Sequence, residues 1–78
     1  MTKRLVNTHS LEEAITSKYG DNLLTGKMSL AIAIGVTQQT VDRMLRGHAP
    51  SYSTAKFTAL VLERELSELF PEIVLNAA

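Results

Sequence analysis

The stretch from Lys27 to Gly47, KMSLAIAIGVTQQTVDRMLRG, constrains the fold more than any other part of the chain. Leu30, Ala31 and Ile34 recur at helical spacing and mark one apolar face of a short helix. Gly35 stops it, because the position after a helix commonly needs a positive φ, which glycine takes without a Cβ clash. Val36 supplies an apolar side chain to the corner. Thr37 follows as the N-cap of a second helix, its hydroxyl able to accept a backbone N–H. Val41, Met44 and Leu45 give that helix its own apolar face, and Gly47 ends it. Two short helices joined by a tight turn predict a helix-turn-helix.

The second helix leaves Gln38, Gln39, Asp42, Arg43 and Arg46 facing outward. Gln bonds bidentately to the N6/N7 edge of adenine and Arg to O6/N7 of guanine, each good pair giving roughly 1–3 kcal/mol of discrimination. In a helix-turn-helix the N-terminal residues of the second helix face base edges in the major groove. Gln38 and Gln39 sit there, directly after the cap. The plainer reading of such a face is a solvated helix surface. The spacing argues for more, because small Ala31 suits a close helix crossing and Gly35 a sharp turn.

Leu30-Ala31, Gly35-Val36-Thr37-Gln38-Gln39, Val41 and Leu45-Arg46-Gly47 resemble the Cro/C1-type helix-turn-helix family of phage repressors and their bacterial relatives. The resemblance is close over residues 27–47, fair over 10–60, and absent from the C-terminal tail. It implies an all-α fold, a compact bundle of about five helices, and a homodimer on a palindromic double-stranded DNA operator. It implies base contacts from Gln38, Gln39 and Arg43, with Asp42 beside them as a further candidate. It implies backbone contacts from Lys27, which would open the motif's first helix, and from Thr37, Thr40, Arg46, Ser51, Tyr52, Ser53 and Lys56. Asp42 departs from the pattern: an acidic side chain repels phosphate, so it is expected to accept from cytosine N4 or to orient Arg43 or Arg46.

Seventy-eight residues make one domain. A chain so short buries only about 60% of its unfolded surface, which leaves stability marginal. With no Cys there is neither a disulfide nor a Cys-based zinc site, so oligomerisation is the remaining common aid. No apolar run approaches the roughly 20 residues that span a membrane. The N-terminus MTKRLVNTHS is too polar for a signal peptide, so a cytoplasmic location is expected. Net charge is zero but polarised. Residues 25–58 hold Lys27, Arg43, Arg46 and Lys56 against Asp42 alone, a net of +3. Residues 59–78 hold Arg64 against Glu63, Glu65, Glu68 and Glu72, a net of −3. A local basic face suffices to steer toward phosphate, with strong salt dependence.

Along the chain, residues 1–9 lack a period and are expected to form a loose arm, either frayed and solvated or bringing Lys3 and Arg4 to DNA. Ser10 with Glu13 reads as a capping box opening a helix whose face is Leu11, Ala14, Ile15 and Tyr19, closed by Gly20. Asp21–Gly26 reads as a long connection, with Leu23 and Leu24 plugging the core and Thr25 capping a helix that starts near Gly26 or Lys27. After the loop around Pro50, Ser51 or Ser53 can cap the next segment. Tyr52 is either a core or lid aromatic or a phosphate contact. Residues 54–70 are helical, as one long helix or as two with a bend near Leu62–Ser67. The tail 71–78 ends on apolar residues that want a cover, and a homodimer contact through Leu69, Phe70, Ile73, Val74 and Leu75 is expected. Folding back onto the chain's own core is the alternative.

His9 and His48 lie far apart and near no acidic cluster of ligand spacing, so no metal is expected. No phosphate-binding glycine loop and no nucleophile with its base is recognisable, so neither a cofactor, a small-molecule ligand nor an enzymatic activity is expected. The rival function is a protein-interaction module, antitoxin- or antirepressor-like, with a minor role for DNA.

Overall fold

A computed structural model describes residues 6–71. They form five helices: α1 (Thr8–Tyr19), α2 (Leu23–Ile34), α3 (Gln38–Leu45), α4 (Tyr52–Leu62) and α5 (Leu66–Leu69). α1 packs against each of the others, and α2 packs against α3 and α4. The core collects Leu11, Ala14 and Ile15 of α1, Leu30 and Ala31 of α2, Val41 and Met44 of α3, Ala55, Ala59 and Leu62 of α4, and Leu69 of α5, closed by Val6 and Phe70. The all-α bundle expected from the sequence is the fold observed.

Four helices begin on a short polar side chain that accepts the N–H three residues on. Asn7 Oδ1 accepts from Ser10 at 3.2 Å and Asn22 Oδ1 from Thr25 at 3.2 Å. Thr37 Oγ1 accepts from Thr40 at 3.3 Å and Ser51 Oγ from Thr54 at 3.4 Å. Thr37 and Ser51 are the caps expected. Ser10 and Thr25 are not, because each is the residue whose N–H is capped. Asn serves as an N-cap as well as Ser and better than Thr, so each helix extends back to an Asn three residues earlier. Glu13 lies beside His9, with 3.6 Å between Oε2 and Nε2.

The corrected starts change two readings. The link between α1 and α2 is short, Gly20 to Asn22, and Leu23 and Leu24 belong to α2. Leu23 packs on the core, while Leu24 is largely exposed and plugs nothing. Residues 6–9 of the expected loose arm are instead built into the bundle. Thr8 and His9 are helical, Val6 is fully buried, and the Asn7 N–H donates to the Leu69 carbonyl at 2.8 Å.

Three helices end in the same hydrogen-bond pattern, with a left-handed or positive-φ residue just past the last turn. After α2, the Val36 N–H reaches the Ala31 carbonyl at 3.0 Å, with Gly35 at φ 75°. After α3, the His48 N–H reaches the Arg43 carbonyl at 3.0 Å, with Gly47 at φ 99°. After α4, the Arg64 N–H reaches the Ala59 carbonyl at 3.0 Å, with Glu63 at φ 56°. Segment 54–70 is therefore two helices, and the break falls on a residue with a side chain.

Leu69 and Phe70 are fully buried in the chain's own core. This corrects their expected part in a dimer contact: no surface of either is left for a second copy. α5 packs against α1 and α4, and Leu69 at its end and Phe70 just past it are buried there. Ile73, Val74 and Leu75 of the same expected contact lie outside the described residues, as do Lys3 and Arg4.

Candidate nucleic-acid interface

α3 owes its position to its flanks. Gly35 turns the chain out of α2, and partly buried Val36 packs in the corner. Thr37 then caps α3, while Val41 and Met44 bury its inner face completely. A helix anchored on one side must show the other, and the exposed stripe is Gln39, Arg43 and Arg46, recurring at helical spacing. Gln38 and Thr40 flank it, half-buried. The Thr37 and Thr40 hydroxyls lie 3.1 Å apart and hydrogen-bond each other, so both are partly committed to the cap.

Between α3 and the following loop lies a surface depression of about 480 Å³, lined by Thr40, Arg43, Arg46, His48 and Pro50 among others. Two guanidinium groups at its rim make it electropositive. Ser51 caps α4, its Oγ also 3.0 Å from Thr54 Oγ1. Tyr52, Ser53 and Lys56 stand exposed on the first turns of α4, where they share a second depression with Phe57 and Leu60. Tyr52 is half exposed and is not a core aromatic.

The remaining two candidates meet each other. Lys27 Nζ donates to Asp42 Oδ1 at 2.8 Å, linking α2 to α3. Asp42 is thus paired with neither Arg43 nor Arg46. Because α2 begins at Leu23, Lys27 lies in its second turn and does not open it. Among the described residues, Arg43, Arg46 and Lys56 are in no ion pair, so the positive charge of residues 25–58 is carried outward by these three.

The sequence reading missed the depression beside α3 and the cross-helix pair. A lone acid on a basic helix hints at a nearby cation, but nothing in the pattern says which one. It also missed Leu24, Met28 and Ile32, which recur every four residues on α2 and are all exposed, Ile32 at 81%. No helix among the described residues is long and apolar enough to cross a membrane. No family model, curated protein or solved structure matches the chain.

Proposed function

We propose that this chain is a sequence-specific double-stranded DNA-binding transcriptional regulator of the Cro/C1-like kind, acting in the cytoplasm as a repressor. The observation that carries the reading is α3: an amphipathic helix, capped by Thr37 and set across α2 by Gly35, with Gln39, Arg43 and Arg46 on its exposed face. Gln38 and Gln39 read adenine edges, and Arg43 reads guanine. Arg46, Lys56 and the hydroxyls around Ser51 hold the phosphate backbone, which sets register without reading sequence. A homodimer would place two such helices about 34 Å apart in successive major grooves and occlude polymerase. Its contact lies on residues other than Leu69 and Phe70.

Selection of preferred sites from random duplex DNA tests the reading. An enriched palindrome with A-rich half-sites supports it, and an unenriched pool opposes it.

A second reading has its own support. Leu24, Met28 and Ile32 on α2, with Phe57 and Leu60 on α4, are exposed apolar side chains that a DNA-reading domain does not need. On that reading the domain is a protein-interaction module. The unpaired cations on and after α3 favour DNA over it, because a docking surface built on leucine and isoleucine gains nothing from them.

A further inference from the structure

We infer that Asp42 is a positioning residue that holds Lys27 away from DNA phosphate, and so lowers the sequence-independent part of DNA affinity. This rests on the reading of α3 as a DNA-contacting helix.

The geometry is specific. Lys27 Nζ and Asp42 Oδ1 are 2.8 Å apart, bridging two helices across 15 positions of sequence. The side chains are only 21% and 34% exposed, so the contact is shielded compared with a loose surface pair. A charge-assisted bond of this length uses one of the ammonium's three N–H donors and offsets its charge with the carboxylate's. Every other cation on or after α3 within residues 25–58 is unpaired among the described residues, so the pair singles out one lysine from four basic side chains.

The consequence follows from how phosphate binding is counted. Each lysine or arginine placed on a phosphate adds sequence-independent affinity and steepens the dependence on salt by about 0.9 in log–log slope. Lys27 on phosphate would raise operator and random DNA alike. Lys27 on Asp42 contributes to neither. It instead ties the second turn of α2 to the middle of α3, the helix whose exposed face does the reading. Asp42 then explains itself: an acid on an otherwise basic helix is tolerated because its charge is already neutralised within the protein.

The test is the salt slope of binding to a fluorescein-labelled random-sequence duplex of about 20 base pairs, long enough for one domain or two. Four chains are compared: wild type, Asp42→Asn, Lys27→Met and the double variant. Asn is isosteric with Asp, and Met keeps the apolar stem of Lys. Far-UV circular dichroism checks that each is folded, and Asp42→Glu serves as the conservative rescue.

Asp42→Asn is expected to bind random DNA roughly three- to tenfold tighter at low salt, with a slope steeper by about 0.9. Lys27→Met keeps the wild-type slope, since it removes no phosphate contact. The double variant returns to that slope, and Asp42→Glu does not leave it. A merely structural role would move stability but not these slopes. Should Lys27→Met lose about 0.9 while Asp42→Asn changes nothing, Lys27 is already on phosphate and the inference is overturned with the DNA reading intact. Should the wild type bind no duplex even at low salt, the DNA reading itself fails and takes this inference with it.

Discussion

A Cβ built on Gly26 would stand 2.6 Å from Cγ2 of Ile15, so α2 crosses α1 at a point where only hydrogen fits. The glycine is not there for a turn, since it lies inside α2 and is buried. Two effects compete in Gly26→Ala. Helix propensity favours alanine by about 1 kcal/mol. Overpacking a filled core costs typically about 1–3 kcal/mol, and Ile15 is fully buried and β-branched, with little room to give. Packing is expected to win, with a net loss of up to about 2 kcal/mol in urea unfolding. A more stable variant would show that the two helices can part at no cost.

Glu63 presents the reverse case. It takes φ 56°, the conformation that Gly35 and Gly47 supply after α2 and α3. A left-handed residue with a Cβ is strained by roughly 1–2 kcal/mol, part of which glycine returns to the more flexible unfolded chain. Glu63→Gly is expected to stabilise the domain by about 0.5–1 kcal/mol, read as a raised thermal midpoint. An unchanged or lower midpoint would place the cost of the turn elsewhere.

These two positions show what the sequence could and could not tell. The apolar faces of α1, α2 and α3 were legible because burial follows a period, and Leu11, Leu30, Val41 and Met44 obey it. Gly35 and Gly47 were legible because the backbone conformation admits few other residues. The break at Glu63 was legible only as one of two alternatives, two helices with a bend near Leu62–Ser67, because no Gly or Pro marks it. The starts of α1 and α2 were misplaced by competition among good caps, Asn7 against Ser10 and Asn22 against Thr25. At the candidate interface, the exposed stripe on α3 was readable, but the Lys27–Asp42 bond depends on the crossing of two helices and leaves no mark in the pattern.

Phe70 separates a core role from an interface role. It is fully buried within one copy of the chain. Phe70→Ala should cost about 3–5 kcal/mol, a large share of the roughly 5–15 kcal/mol a small domain has in total. Urea unfolding should register that loss equally at low and high protein concentration. A loss that appears only where the wild type self-associates would return Phe70 to a dimer contact.

On DNA, two substitutions should behave in opposite ways. Gln39→Ala, on the exposed stripe, should weaken a preferred site by about 1–3 kcal/mol, relax one base position and leave random DNA unaffected. Lys56→Ala should weaken both DNAs alike and flatten the salt slope by about one. Fluorescence anisotropy on the two duplexes at several salt concentrations distinguishes them. Equal losses on both duplexes for Gln39→Ala would remove the base-reading role.

Selection from random duplex DNA, followed by titration of the winning site at two salt concentrations, tests the central claim most directly. The account predicts a palindrome with A-rich half-sites whose centres lie about one helical turn apart, bound by two copies of the chain and far more tightly than the starting pool. A pool that shows no enrichment, bound only weakly and only at low salt, would contradict it.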